Sequence, residues 1–181
     1  GLTEAQAKKI IASTVDIANS ARDQVWSSLS EREKESRPYP LISGDVGPYA
    51  AYLADGSEYT GDYGAITKQE LKDFHRPRLA ILKEQRVDLL ALETMPNFLE
   101  ARALVELLSE DFPQVDAYIS FTSQDGQSIS DGTALSEVAK LVEASSQILA
   151  VGLNCSSPKV YPDFLHQLRQ YTAKPLVTYP N

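Results

Sequence analysis

Cys155 is the one cysteine in the chain. It lies just beyond the apolar run Ile148–Leu153, after Asn154 and ahead of Ser156-Ser157-Pro158, where a helix is expected to begin. A thiol at a strand's carboxyl end and a helix's N-terminus has its thiolate favoured by the dipole, which suits a metal ligand or a nucleophile. The plain alternative is a small buried hydrophobe, against which stand the polar residues that follow. Glu93 closes the run VDLLALE, in which Asp88 is the other charged residue. A carboxylate there is costly to bury unless a cation or hydrogen-bond donors receive it. A structural Arg or Lys would serve, and so would a ligand's ammonium. Between Tyr49 and Tyr63, Tyr49, Tyr52, Tyr59 and Tyr63 alternate with Asp55, Glu58 and Asp62. Such a stretch either packs its own rings or offers aromatic faces and acids to a cationic ligand.

Other chemistries lack their signatures. His75 and His166 both fall inside helical patterns and read as surface or packing residues. Neither forms HExxH, no Ser/His/Asp order suggests a hydrolase, and no glycine-rich phosphate turn is present. No side chain is therefore assigned as a catalytic acid, base or nucleophile.

These residues must be positioned by alternating strands and helices. Thr3 with Gln6 reads as a capping box opening a helix to about Leu29, with Ile10, Ile11, Val15, Ala18, Ala21, Val25 and Trp26 inward. Glu31 to Pro40 reads as a charged connector. A short strand at 41–46 leads into 49–66, which has no period and reads as a long functional loop. Thr67 and Glu70 open a second helix, with Leu71, Phe74, Leu79 and Leu82 inward, which Pro77 should kink or split. Strands follow at 87–93, 117–121, 148–153 and 176–179. The helices between them start at Asn97 (with Glu100 as capping partner), Thr133 and Pro158, and Asp125–Thr133 reads as a turn and cap.

A strand and a helix repeating about every 30 residues predict a parallel α/β sheet. An open doubly wound sheet and a (β/α)₈ barrel compete. The unusual residues follow strand after strand, at Asp45–Pro48, Glu93-Thr94, Thr122, Asn154-Cys155 and Tyr179-Pro180-Asn181, and sites spread over many strand ends are how a barrel works. Eight such units would need roughly 290 residues, close to the usual barrel length. The expectation is a partial TIM barrel, about five of eight βα units in one incomplete domain spanning 1–181, with open sheet edges that invite self-association.

Composition agrees. The 181 residues are 43% hydrophobic and 23% charged, and 17 basic against 25 acidic residues give a net charge of −8. That acidity disfavours a nucleic-acid partner, and no apolar stretch reaches the roughly 18 residues of a membrane span. One cysteine excludes an internal disulfide framework and suits a cytoplasmic setting.

Seven blocks in order also resemble a known family: GDVGPY at 44–49, DGSEYTGDY at 55–63, FHRPRL at 74–79, LETMPN at 92–97, SDGT at 130–133, GLNCSSP at 152–158 and KPLVTYPN at 174–181. Together they resemble the homocysteine S-methyltransferases, in the branch using S-methylmethionine or S-adenosylmethionine as methyl donor. The resemblance implies a barrel with a zinc ion at its mouth held by three thiolates. Cys155 matches the thiolate of the G-x-N-C motif, in which Asn154 sits beside the substrate. The other two, from a Gly-Gly-Cys-Cys motif, have no counterpart here, so this chain alone is expected to be inactive. Glu93 matches the glutamate that binds the amino group of homocysteine. Thr94 stands where betaine-using relatives carry an aromatic residue, and no role is transferred to it. A selenium-containing acceptor remains an alternative to homocysteine.

Overall fold

A computed structural model describes residues 1–180, so Asn181, the last of the strand-end residues singled out above, lies outside the described residues. Helix α1 covers Glu4–Ser28, and the Thr3 hydroxyl accepts the Gln6 N–H while the Gln6 side chain accepts the Thr3 N–H. The charged connector contains a further helical turn, α2 (Glu31–Glu35), opened by a capping box between Ser30 and Glu33. After β1 (Ser43–Val46) the supposed long loop folds into α3 (Tyr49–Leu53) and α4 (Ser57–Thr60). Four- and five-residue turns are too short to show a period, which is why the sequence reads there as loop.

Helix α5 (Lys68–Glu84) opens with the expected Thr67–Glu70 box and runs through Pro77 without splitting. Pro77 is on the exposed side, so the carbonyl it leaves unbonded can meet water. The remaining elements are β2 (Leu89–Met95), α6 (Phe98–Asp111), β3 (Ala117–Phe121), α7 (Leu135–Glu143), β4 (Ile148–Asn154), α8 (Tyr161–Tyr171) and β5 (Leu176–Tyr179).

The five strands are parallel and lie in the order β1-β2-β3-β4-β5. Strand order never reverses, so there is no switch point of the doubly wound kind. Winding in one direction is the barrel arrangement, and the chain forms part of a barrel-type α/β fold. Consecutive helices α5, α6, α7 and α8 pack beside one another. The core lies between them and one face of the sheet. Val46, Leu92, Ile119, Phe121, Val151 and Leu153 meet Leu79, Leu104, Leu108, Val142, Phe164 and Leu168, all with 0% exposure. Each is worth about 1.5–3 kcal/mol of burial.

Gly152 is required sterically, because a Cβ there would lie 1.6 Å from the Val177 carbonyl oxygen of β5. The α1 stripe is less buried than its pattern predicts. Val15 is buried, while Ile10 and Val25 are 50% and 59% exposed, since α1 packs chiefly on α5 and leaves an open groove beside β1. Among the described residues no helix is long and apolar enough to cross a membrane.

Candidate functional site at the strand ends

Residues that alternate away from the core share the sheet's other face. Register places Asp45 beside Ala91 and Ala91 beside Tyr118, and one pleat further on Ser120 beside Gly152 and Asn154 beside Tyr179. Between Leu92 and Met95, β2 takes three steps while β3 takes two from Ile119 to Phe121. The extra residue makes a bulge at Glu93-Thr94, and bulges re-aim side chains next to sites. Thr94 adopts φ +65°, and Cys155 across the site adopts φ +46°. Left-handed backbone at a β-branched residue is a true outlier that the surroundings must enforce.

Asn154 does the enforcing. It is 1% exposed, and its Oδ1 accepts the Thr94 N–H at 3.0 Å and the Ser120 hydroxyl at 2.9 Å. Its Nδ2 donates to Thr94 Oγ1 and to the Tyr179 hydroxyl, both at 2.8 Å, and lies 3.5 Å from Cys155 Sγ. The amide expected to contact a substrate is thus committed within the protein, where it ties the ends of β2, β3, β4 and β5.

Cys155 is exposed, and the Thr94 hydroxyl donates to its sulfur at 3.6 Å. Helix α8 begins only at Tyr161, after a 3₁₀ turn at Pro158–Val160. Cys155 therefore does not sit at an α-helix N-terminus as expected, and its sulfur is met instead by the Thr94 hydroxyl and the Asn154 amide.

Glu93 is half-buried and accepts a close hydrogen bond from the Tyr118 hydroxyl. The phenols of Tyr118 and Tyr179 are pushed well above their ordinary range, by burial first and then by Glu93, so both stay protonated donors at neutral pH. Burial followed by the charge of Glu93 raises the Asp45 carboxyl, with Arg78 opposing. Glu93 is thus held by phenols rather than by a base. Tyr179 was among the strand-end residues singled out in the sequence, whereas Tyr118 was not, although Tyr118 and Ser120 alternate in β3 with buried apolar residues.

The tyrosine-rich stretch divides. Tyr49 packs against Tyr52, Tyr63 and Phe74 with ring centroids 5.0–5.7 Å apart, which is self-packing. Tyr59 instead lines a cavity of about 390 Å³ with Glu58, Thr94, Thr122, Cys155 and Ser156. The other end of the stretch joins a buried cluster that sequence reading missed. The Glu100 carboxylate, expected as a capping side chain, accepts the Tyr49 N–H at 2.6 Å and the Tyr63 hydroxyl at 2.5 Å, and meets His75 Nε2 at 2.7 Å. His75 is 1% exposed and belongs to packing. It lies on the Leu71–Leu79 stripe, the signal that could have revealed it. His166 is exposed.

The model of the homocysteine S-methyltransferase family matches residues 1–181. The chain belongs to that family. Homocysteine S-methyltransferase YbgG of Bacillus subtilis is 47% identical over 181 residues, and homocysteine S-methyltransferase 1 of Zea mays is 41% identical over 182. Each match covers 100% of this chain and 56% of the relative, so the chain spans little more than half the length of these family members. The metallated form of the Escherichia coli homocysteine methyltransferase MmuM superposes with a TM-score of 0.92 at 43% identity, covering 100% of this chain and 60% of that one. A selenocysteine methyltransferase of Astragalus bisulcatus is also similar, at 40% identity. The five-strand sheet is therefore a homocysteine S-methyltransferase fold in part, with Glu93, Asn154 and Cys155 at its strand ends.

Proposed function

We propose that the intact protein transfers a methyl group from a sulfonium donor, S-methylmethionine or S-adenosylmethionine, to the thiol of homocysteine, giving methionine. The observation that carries this reading is that Cys155 and Glu93 stand at one mouth, linked through Thr94 and Asn154. Glu93, with hydrogen bonds from phenols and no ion pair among the described residues, suits the ammonium group of an amino acid. Cys155, exposed and with two donors at its sulfur, suits a soft metal ion.

Among the described residues no three His, Cys, Asp or Glu side chains form a group that could hold a metal. Cys155 would be one ligand of such an ion, and the three-thiolate site that the resemblance implies calls for two more cysteines than this sequence holds. Zinc, when bound, supplies a fixed position and a lowered pKa for the substrate thiol.

The remaining work falls to the chain's own groups. Glu93 holds the amino end of homocysteine, with Tyr118 and Tyr179 fixing the carboxylate's direction. Asn154 holds Thr94 and the Cys155 loop in place. The homocysteine sulfur then attacks the donor's methyl carbon in line. A new carbon–sulfur bond forms as the old one breaks, and the electron pair stays on the donor sulfur. Proximity and a fixed attack line are the main contribution. A cytoplasmic setting, where thiols stay reduced, suits such a site.

The test uses the full-length protein with homocysteine and S-methylmethionine. Methionine formation that a chelator abolishes and zinc restores is the expected result. No methionine with either sulfonium donor would overturn the reading.

A further inference from the structure

Helix α4 has four residues, too few to hold itself by its own hydrogen bonds. It is fixed from outside. The Glu58 carbonyl accepts the Thr122 hydroxyl at 3.4 Å, the Tyr59 carbonyl accepts the Gln124 amide, and the Gly61 carbonyl accepts Asn97 Nδ2 at 2.7 Å. Gly61 itself takes φ +69° and sits so close to the loop after β2 that a Cβ would lie 2.5 Å from the Pro96 oxygen. Three side chains from the ends of β2 and β3 thus clamp a single turn, of which Glu58 and Tyr59 line one cavity.

The wall of that cavity holds an unmet demand. Glu58 Oε2 is buried and has no hydrogen-bond partner among the described residues. A carboxylate oxygen withdrawn from water without a donor or a cation is costly, and a rigid turn holds it there. The Tyr59 side chain and the Cys155 thiol line the same cavity. We infer that Glu58 is the counter-charge for the cationic methyl donor, with Tyr59 beside it, so that the donor lies between α4 and Cys155.

The inference rests on the reading above, in which Cys155 marks where the acceptor sulfur sits. It adds which wall of the site reads the donor's charge. The reaction gives it a kinetic signature. Thiolate and sulfonium neutralise each other as the methyl group moves, so a carboxylate beside the sulfonium stabilises the bound donor more than the transition state. Such a group lowers KM without raising kcat, and it loses its grip once the donor has become a neutral thioether.

In the full-length enzyme, Glu58→Gln keeps the size and removes the charge. The KM for S-methylmethionine should rise about tenfold or more, with kcat unchanged or higher and the homocysteine KM unchanged. Glu58→Asp, which keeps the charge, should recover part of that loss. Should Glu58→Gln fail to fold, Tyr59→Leu gives the same readout with a smaller rise in donor KM. An unchanged donor KM, or a fall in kcat alone, overturns the inference. Glu93→Gln run in parallel separates the two ideas. If it raises the homocysteine KM while Glu58→Gln leaves the donor KM untouched, the methyltransferase reading stands and the role of Glu58 falls.

Discussion

Two groups of acids lie on either side of β2, and they meet their charges differently. Where α6 crosses α5, acids face bases. Glu100 meets His75 at 2.7 Å, Glu106 meets Lys68 at 2.6 Å and Lys72 at 3.1 Å, and Asp111 meets Arg76 at 2.7 Å. At the mouth, Glu93 takes its hydrogen bonds from phenols and Glu58 leaves one oxygen unpartnered among the described residues. The seam pairs each of these acids with a basic side chain across two helices, although His75 Nδ1 is itself buried with no hydrogen-bond partner among the described residues. At the mouth neither Glu93 nor Glu58 is in an ion pair among the described residues. The contrast teaches that what faces a carboxylate separates the two groups: basic side chains at the seam, phenols at the mouth.

The comparison breaks most readily at Glu100. Glu100→Ala strips an acceptor from His75, the Tyr63 hydroxyl and the Tyr49 N–H, and should cost about 3–5 kcal/mol, read by thermal unfolding. A loss below about 1 kcal/mol would put Glu100 with the open acids. Glu93→Gln should do the reverse: the homocysteine KM rises about 10- to 100-fold while the melting temperature moves far less. A large fall in stability there would make Glu93 a seam residue.

Asn154→Ala removes the amide that orients Thr94 and the Cys155 loop, and zinc affinity should fall about tenfold in a competition titration with a chelator. The smallest effect concerns pH. Lys68 first, then Lys72, against some burial, holds the Glu106 carboxyl below its ordinary value. A carboxyl lowered on folding adds stability above its unfolded pKa and loses it as pH falls through the folded one. Denaturation midpoints of the native protein and Glu106→Gln should differ by under about 1 kcal/mol near pH 7 and converge in acid. A gap that persists in acid would rule out the ion pairs as its source.

Much of the frame was legible because it is local. Thr3 with Gln6 and Thr67 with Glu70 are capping boxes whose geometry needs no distant partner. The apolar runs at 117–121 and 148–153 could be little else than buried strands. What escaped is set by residues far apart in sequence. The bulge at Glu93-Thr94 exists only against β3, and the Asn154 knot joins positions 94, 120 and 179. His75 and Glu100 looked like a packing residue and a cap, since nothing local reveals that 49, 63, 75 and 100 converge. Cys155 was found by its place after a strand, but the helix expected to start beside it begins only at Tyr161, and the groups that meet its sulfur come from Thr94 and Asn154.

Gly152 carries no side chain and no charge, yet the Val177 oxygen fills the space that any side chain there would need. In a library that varied every position and was scored for growth, it should tolerate as little change as Cys155. The two would be silent for unrelated reasons, one because the chemistry fails and the other because β5 cannot dock. A map of intolerance alone would therefore draw the active site one strand residue too wide, and a second screen for folded protein would redraw it.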